Sequence, residues 1–397
     1  MEDFDILIPQ NWHEGQSIIK VIGVGGGGCN AVNEMCRQGI KDVNFMICNT
    51  DAQSLATCDV PEKLRLGNSV TNGLGAGFNP EEGQRAAIES IEEIKKSLSG
   101  NTEMVFITAG MGGGTGTGAT PVIAKLAKDM GILTVGVVTL PFRDEGREFI
   151  KRAIKGIREL QQYVDSLLII DNQKLYQVYG DLQLANAFPM ANNVLSTAVR
   201  SIAEIITRPG FINVDFADVK RVMQNGGMAI MGIGTAEGPD RAVKAVEEAF
   251  KSPLLNECDL KTAKGVLVNI TTSKEEGDGL TMAELSQIVE YVNNYTGDAQ
   301  NFKRGVVLDS KMEKKVSVTI IATGFSTDSL PQIDLEEEVK ETIVIGDNNE
   351  SNENSIPFQN EKYTRPEGTP VLLMENGEDI TKLETEPAYI RRGKKEI

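Results

Sequence analysis

Up to about residue 190 the chain alternates short, unbroken apolar runs with longer stretches in which apolar residues return every three or four positions. IIKVIGV, VNFMICN, MVFITAG, LTVGVVTL and SLLIIDN are rich in β-branched residues, as strands covered on both faces are. PEEGQRAAIESIEEIKKSL and PVIAKLAKDMG carry helical spacing, the second with Pro121 suited to a first turn. This alternation predicts an α/β domain over residues 17–190 built on a doubly wound parallel sheet, after a short extension over 1–16. ANNVLSTAVRSIAEIITR then places Leu195, Ala198, Val199, Ile202, Ile205 and Ile206 on one stripe, widened by Val194 and Ala203. It predicts a long central helix over 191–208, buried on much of its surface and stopped by Pro209-Gly210.

Residues 209–326 read as a smaller α/β domain: GMAIMGIGTA, a helix from Asp240, GVLVNITT, a helix around AELSQIVEYV, then GVVLD and VSVTIIATG as neighbouring strands. Beyond it the pattern stops. Residues 327–386 are rich in Asn, Glu and Pro, and from Pro331 to Glu386 fifteen acidic residues stand against four basic ones, the signature of a disordered acidic linker. EPAYIRRGKK then sets Tyr389 and Ile390 beside four cations, so residues 387–397 are expected to be a partner-docking peptide.

Two glycine-rich stretches follow predicted strands and precede predicted helices: GGGGCNAVNEMCRQG after SIIKVIGV, and GMGGGTGTGATP after MVFITAG. Glycine lets backbone N–H groups approach a phosphate, and a helix N-terminus presents unpaired N–H groups to an anion. Strand, glycine loop, helix therefore predicts phosphate binding, twice. Gly23, Gly25 and Gly28 formally satisfy G-x-G-x-x-G, but the next strand ends in Asn49, Thr50 and Asp51, where a dinucleotide site asks for a single acidic residue. G-x-x-x-x-G-K-[ST] does not occur.

Composition narrows the chemistry. The 397 residues carry a formal charge of −17, which argues against nucleic-acid partners. No apolar run is long enough for a membrane span, and the acidic start lacks the pattern of a signal peptide, so a cytoplasmic protein with no direct membrane insertion is expected. Five cysteines form no C-x-x-C pair, which suits reduced thiols. The single histidine, His13, lies in a polar N-terminal stretch, leaving a Ser-His-Asp or Cys-His mechanism without a placed base.

GMGGGTGTG resembles the signature of the tubulin superfamily, and with GVGGGGCNAVN, NTDAQSL, GLGAGFNPEEG, PFRDEG, ITRPGFINVDFADV and SPLL the chain closely resembles its FtsZ branch, the bacterial tubulin homologues of the cell-division ring. The resemblance runs from about Ser17 to Phe325 and returns in the tail peptide. It implies a GTPase that binds GTP or GDP with Mg²⁺ and polymerises head to tail at the mid-cell division ring. It also implies a tail that binds membrane-tethering division proteins such as FtsA. Carried over position by position, Gly25, Gly26, Gly27, Gly28, Cys29 and Asn30 would cradle phosphates and part of the nucleoside. Gly113, Gly114, Thr115, Gly116 and Thr117 would hold the α- and β-phosphates. Gly75, Ala76 and Gly77, with Asn49 and Asp51 nearby, would sense the γ-phosphate and the metal, which Asp51 would touch through water. Glu145 would bond the ribose, while Asn172, Phe188 and Asn193 would read the base.

Two positions depart from the family pattern. Phe149 stands where an arginine is expected, so Arg147 or Arg152 replaces that cation or the contact is absent. Asn193 replaces an aspartate; its amide oxygen still accepts from a guanine N–H, and it could also serve as N-cap of the central helix. Asn213, Asp215 and Asp218 would form a catalytic loop that acts on the nucleotide of the next subunit, since a helix of about 15 residues, roughly 22 Å long, separates them from the base site. An NAD-dependent Rossmann enzyme and a filament scaffold that binds nucleotide without hydrolysis are the competing readings at this point.

Overall fold

The computed structural model describes residues 17–174, 184–208, 210–252, 255, 259–275, 277–297 and 299–325, with side chains of 184–192 excepted. The expected extension, acidic linker and tail peptide, the side chain of Phe188 and Cys258 therefore lie outside the described residues.

Strands β1 (Ile19–Val24), β2 (Asn44–Asn49), β3 (Glu62–Arg65), β4 (Met104–Gly110), β5 (Leu133–Leu140) and β6 (Ser166–Asp171) form the first half of the sheet. They run parallel in the order β3-β2-β1-β4-β5-β6. Alternate residues face opposite sides: Ile22, Val24, Val105, Ile107 and Ala109 join one core, Ile19, Val21, Met104 and Phe106 the other. Burial on both faces is why β1, β2, β4, β5 and β6 read as apolar runs; the edge strand β3, EKLR, is half exposed and is not expected from the sequence.

β7 (Gly210–Ile212), β8 (Gly227–Glu237), β9 (Gly265–Thr272), β10 (Asn301–Leu308) and β11 (Lys315–Phe325) continue the sheet in the order β8-β11-β9-β10-β7. The halves are joined edge to edge. Ser166, Leu167 and Leu168 of β6 pair in parallel with Gly227, Met228 and Ala229 of β8, making one eleven-stranded sheet. The expectation that GVVLD and VSVTIIATG are neighbours is corrected: β11 lies antiparallel between β8 and β9, while β10 pairs with β9 and β7. The helix Met282–Thr296 between β9 and β10 is the crossover that a parallel pair requires, and it leaves β10 on the edge of β9 opposite β11.

The central helix spans Leu184–Thr207, beginning seven residues before the expected start. Leu195, Ala198, Val199, Ile202, Ala203 and Ile205 are buried in the same core as Leu168, Met231, Leu267 and Ile321, so its apolar stripe covers strands from both halves.

Helices also begin earlier than expected at the glycine stretches, at Gly25 (Gly25–Arg37) and at Thr115 (Thr115–Asp129). Pro121 is therefore inside its helix and not in the first turn. The TGTG stretch is helical because it lies against helix Pro80–Glu89: a Cβ on Gly118 would overlap the Pro80 carbonyl oxygen.

Candidate active site

The strands from β1 to β6 are parallel, so their C-terminal ends lie along one edge. That edge gathers the first turns of helices Gly25–Arg37 and Thr115–Asp129, the Asn49–Asp51 turn after β2, Glu145 after β5 and Asn172 after β6.

The glycines there divide into two groups. Some let the loops pack on each other. A Cβ on Gly25 would stand 2.8 Å from Gly116 N, one on Gly116 2.5 Å from Gly110 O, and one on Gly114 2.9 Å from the Ala76 Cβ. A Cβ on Gly28 would overlap the Thr108 carbonyl oxygen. Others face open space: around Gly26, Gly77 and Gly113 no heavy atom of another segment lies within 4 Å of such a Cβ. The packed glycines bring the two loops together, and the open ones leave backbone unobstructed by neighbouring segments.

Side-chain caps are present on some helices and missing on others; Ile91–Leu98, Arg147–Leu160 and Arg241–Lys251 lack one, as do the two helices at this edge. Helices Ala52–Ala56, Pro80–Glu89, Phe216–Met223 and Met282–Thr296 are capped by Asp51, Asn79, Asp215 and Thr281. Gly25–Arg37 and Thr115–Asp129 have neither a side-chain cap nor an acidic residue in the first turn. Their leading N–H groups and positive dipole ends are suited to an external anion.

The surrounding side chains are held in place by short contacts. Thr50 Oγ1 and Thr115 Oγ1 are 2.6 Å apart, Asn49 Oδ1 accepts the Thr50 N–H at 2.9 Å, and Thr117 Oγ1 accepts the Gly112 N–H at 2.8 Å. Asp51 Oδ1 accepts from Gln53 N and Ser54 N. Leu74 bridges to Asp51, and Gly75 N donates to Thr50 O, which ties the Gly75–Gly77 loop to β2. Thr50, which the sequence offers only as the middle of NTD with no assigned role, thus ties β2 to the second glycine loop.

Cys29 turns inward. Its thiol lies 3.5 Å from Cys48 O, and burial pushes its pKa up to about 12, so it presents backbone, not sulfur, to the cleft. Asn30 is exposed beside it. Glu145 is exposed, with Oε1 accepting the Phe142 N–H at 2.9 Å. Asn172 Oδ1 is buried with no hydrogen-bond partner, an arrangement that costs free energy until a donor arrives.

Asn193 is not an N-cap: it lies well inside the central helix, and its Oδ1 accepts from Gln38 Nε2 at 2.6 Å. Gln38 Oε1 in turn accepts from Ser196 and Arg200. A base donor at Asn193 therefore shares that oxygen with Gln38.

Phe149 does not substitute for a cation. Its ring lies 5.2 Å from that of Phe78, with the Arg152 guanidinium 4.5 Å over it.

Asn213, Asp215 and Asp218 are not part of this edge. Because β8 starts opposite the start of β6, with Gly227 N bonded to Asp165 O, the segment before β8 lies at the N-terminal ends of the strands. A six-residue strand is roughly 20 Å long, so these carboxylates do not reach the glycine loops of their own subunit. There Asn213 Oδ1 accepts the Gly210 N–H, Asp215 caps helix Phe216–Met223, and Asp218 pairs with Lys303. Phe211 beside them is 70% exposed.

Residues 18–180 match the Tubulin/FtsZ family, GTPase domain, and residues 227–326 match the FtsZ family, C-terminal domain. The chain belongs to the FtsZ family. It is 45% identical to the cell division protein FtsZ of Porphyromonas gingivalis over 95% of this chain and 86% of that one. Against FtsZ of Pseudomonas aeruginosa it is 51% identical over 78% of this chain and 77% of the relative. A solved FtsZ dimer from M. jannaschii superposes with a TM-score of 0.73 at 42% identity, covering 78% of this chain and 88% of that one. As an FtsZ-family protein the chain is a GTPase, with GTP and GDP as its nucleotides; the NAD-dependent reading is set aside.

Among the described residues no cluster of three or more metal-ligating side chains exists. No described helix is long and apolar enough to cross a membrane.

Proposed function

We propose that the chain binds GTP along the edge where helices Gly25–Arg37 and Thr115–Asp129 begin and hydrolyses it only after a second subunit docks there. The observation that carries this reading is the separation of the parts: phosphate-facing loops at the C-terminal ends of the strands, and Asn213, Asp215 and Asp218 at the N-terminal ends. Each subunit thus carries half of a site on each of two opposite faces. A head-to-tail contact completes a site without closing a ring, which builds a filament. The solved FtsZ dimer is compatible with such a contact.

In this reading Gly25–Asn30 and Gly113–Thr117 hold the phosphates, Gly75–Gly77 faces the γ-phosphate, Glu145 takes the ribose, and Asn172, Phe188 and Asn193 read guanine. Mg²⁺ would accompany the triphosphate, and Asp51 is the carboxylate that could hold it through water. The ion would offset phosphate charge. Asp215 and Asp218 orient the attacking water, because positioning and electrostatics carry most of phosphoryl transfer. The place of action is the mid-cell division ring, with residues 387–397 binding membrane-tethering proteins of the FtsA kind.

The test is specific activity against protein concentration, run beside sedimentation with GTP and with GDP. Turnover per subunit should rise steeply at the concentration where GTP-dependent pelleting begins. A turnover that stays constant far below that threshold would place catalysis within one subunit.

A further inference from the structure

The loop Gly75–Asn79 is held from two sides. On one side Ala76 is buried against the second phosphate loop: a Cβ on Gly114 would lie 2.9 Å from both Ala76 Cβ and Asn79 N. On the other side is an aromatic contact. The Phe78 and Phe149 rings stand edge to face, 5.2 Å apart at 65°. Arg152 lies 4.5 Å over the Phe149 ring, donates from Nη1 to the Phe78 carbonyl, and donates from Nε to Glu148 O at 3.1 Å. Phe149 also abuts Gly112, where a Cβ would meet the Phe149 carbonyl oxygen at 2.9 Å and its ring at 3.3 Å. A single residue of helix Arg147–Leu160 thus touches both loops that face the phosphates.

Burial does not account for this arrangement, because Phe78 is 64% exposed. Its backbone is also unusual. Phe78 sits at φ 61°, after Gly75 at 89° and Gly77 at 56°. A bulky residue holds a left-handed conformation only where its surroundings over-determine it, and such sites concentrate at ligand clamps and switches. Here the surroundings are the Phe149 ring and the Arg152 guanidinium.

We propose that Phe149 and Arg152 are positioning residues that latch Phe78, and through it hold the Gly75–Gly77 backbone in the conformation that receives the γ-phosphate. The proposal rests on the reading of this edge as the GTP site. The latch acts on the loop that GDP does not need, so it sets the preference for triphosphate over diphosphate.

The test titrates GDP and GTPγS, with Mg²⁺, into the full chain and its variants, with thermal unfolding as a check that each variant is folded. Phe149→Leu removes the ring but keeps an apolar side chain, and should weaken GTPγS by roughly tenfold while GDP stays within about twofold. Phe149→Tyr keeps the ring and should restore wild-type binding of both. Phe78→Leu should reproduce the Phe149→Leu effect, and the double variant should be no worse than either single one, since both remove the same contact. Equal losses for GDP and GTPγS, no loss for either, or additive losses in the double variant would overturn the latch. A wild-type protein that binds neither nucleotide would overturn the site itself and the proposal with it, an outcome distinct from an intact GDP site with an unchanged ratio.

Discussion

Lys303 Nζ stands 2.6 Å from Asp218 Oδ1, so the carboxylate assigned to a neighbour's nucleotide is already paired within its own subunit. Both side chains are about one-third exposed. An ion pair that wet contributes on the order of 0–1 kcal/mol and can be exchanged when another subunit docks. Bringing two carboxylates towards a polyanionic triphosphate is unfavourable by itself, and Lys303 offsets one of those charges.

Asp218→Ala should therefore leave GTP affinity unchanged, since the residue is at the opposite edge from its own nucleotide loops, and slow hydrolysis by roughly 10²–10⁴-fold. Its polymers should persist, because GTP in the filament is not consumed. Parallel titration, turnover and light-scattering decay would check this; undiminished turnover would refute the assignment of Asp218.

The two groups of glycines predict opposite failures. Gly28→Ala forces a Cβ into the Thr108 carbonyl oxygen, with Gly23 close behind, so it should lower stability by about 1–3 kcal/mol as overpacked sites do. Gly26→Ala meets no other segment and should leave the urea midpoint nearly unchanged while weakening nucleotide binding. Unfolding and titration on the two variants separate these effects, and matching losses in both would contradict the division.

Much of this was legible in the sequence for a physical reason. Buried parallel strands are unbroken apolar runs, and glycines between a strand and a helix leave few alternatives, so β1, β2, β4, β5, β6 and both glycine loops follow from local pattern alone, whereas the half-exposed edge strand β3, EKLR, gives no such run. Pairing partners do not. That β11 inserts between β8 and β9 depends on those two strands being set one position apart in the sheet, which the periodicity of GVVLD and VSVTIIATG cannot encode. Lys303 gives no local signal either: it is a strand residue 85 positions from Asp218 and meets it only through the fold. Phe78 stands in plain view in GFNPEEG, but its partner Phe149 lies on a helix far along the chain.

Asn172 carries the guanine preference in this reading. Its Oδ1 is buried and unpartnered, and a guanine donor would satisfy it where adenine leaves it unpaired at a cost of about 1–3 kcal/mol. Wild type should bind GTP at least tenfold more tightly than ATP, and Asn172→Ala should lose most of that ratio. Competition titration of GTP against ATP on both proteins measures it; equal affinities in the wild type would remove Asn172 from the base site.

Arg241 and Glu284 give the pH dependence a specific origin. Arg241 is 9% exposed and donates from Nε and Nη2 to the two carboxylate oxygens of Glu284 at 2.7 and 3.2 Å. Its remaining N–H groups reach the carbonyls of Asp278, Gly279 and Lys314. The pair joins helix Arg241–Lys251 to helix Met282–Thr296, where Glu284 also completes the capping box of Thr281. The Arg241 hydrogen bond holds the Glu284 carboxyl below its usual range. A carboxyl whose folded pKa is depressed adds stability above its unfolded value, about 4.3, and loses it as pH falls through the folded value. Glu284→Gln leaves Arg241 buried without its counter-charge, so it should cost on the order of 2–4 kcal/mol at pH 7. As pH falls through that depressed folded value the wild-type carboxyl becomes neutral as well, and the difference between the two proteins should shrink. Urea midpoints for both proteins from pH 7 to pH 3 give the answer; a gap that stays constant through the acid limb would show that Glu284 stabilises by shape and not by charge.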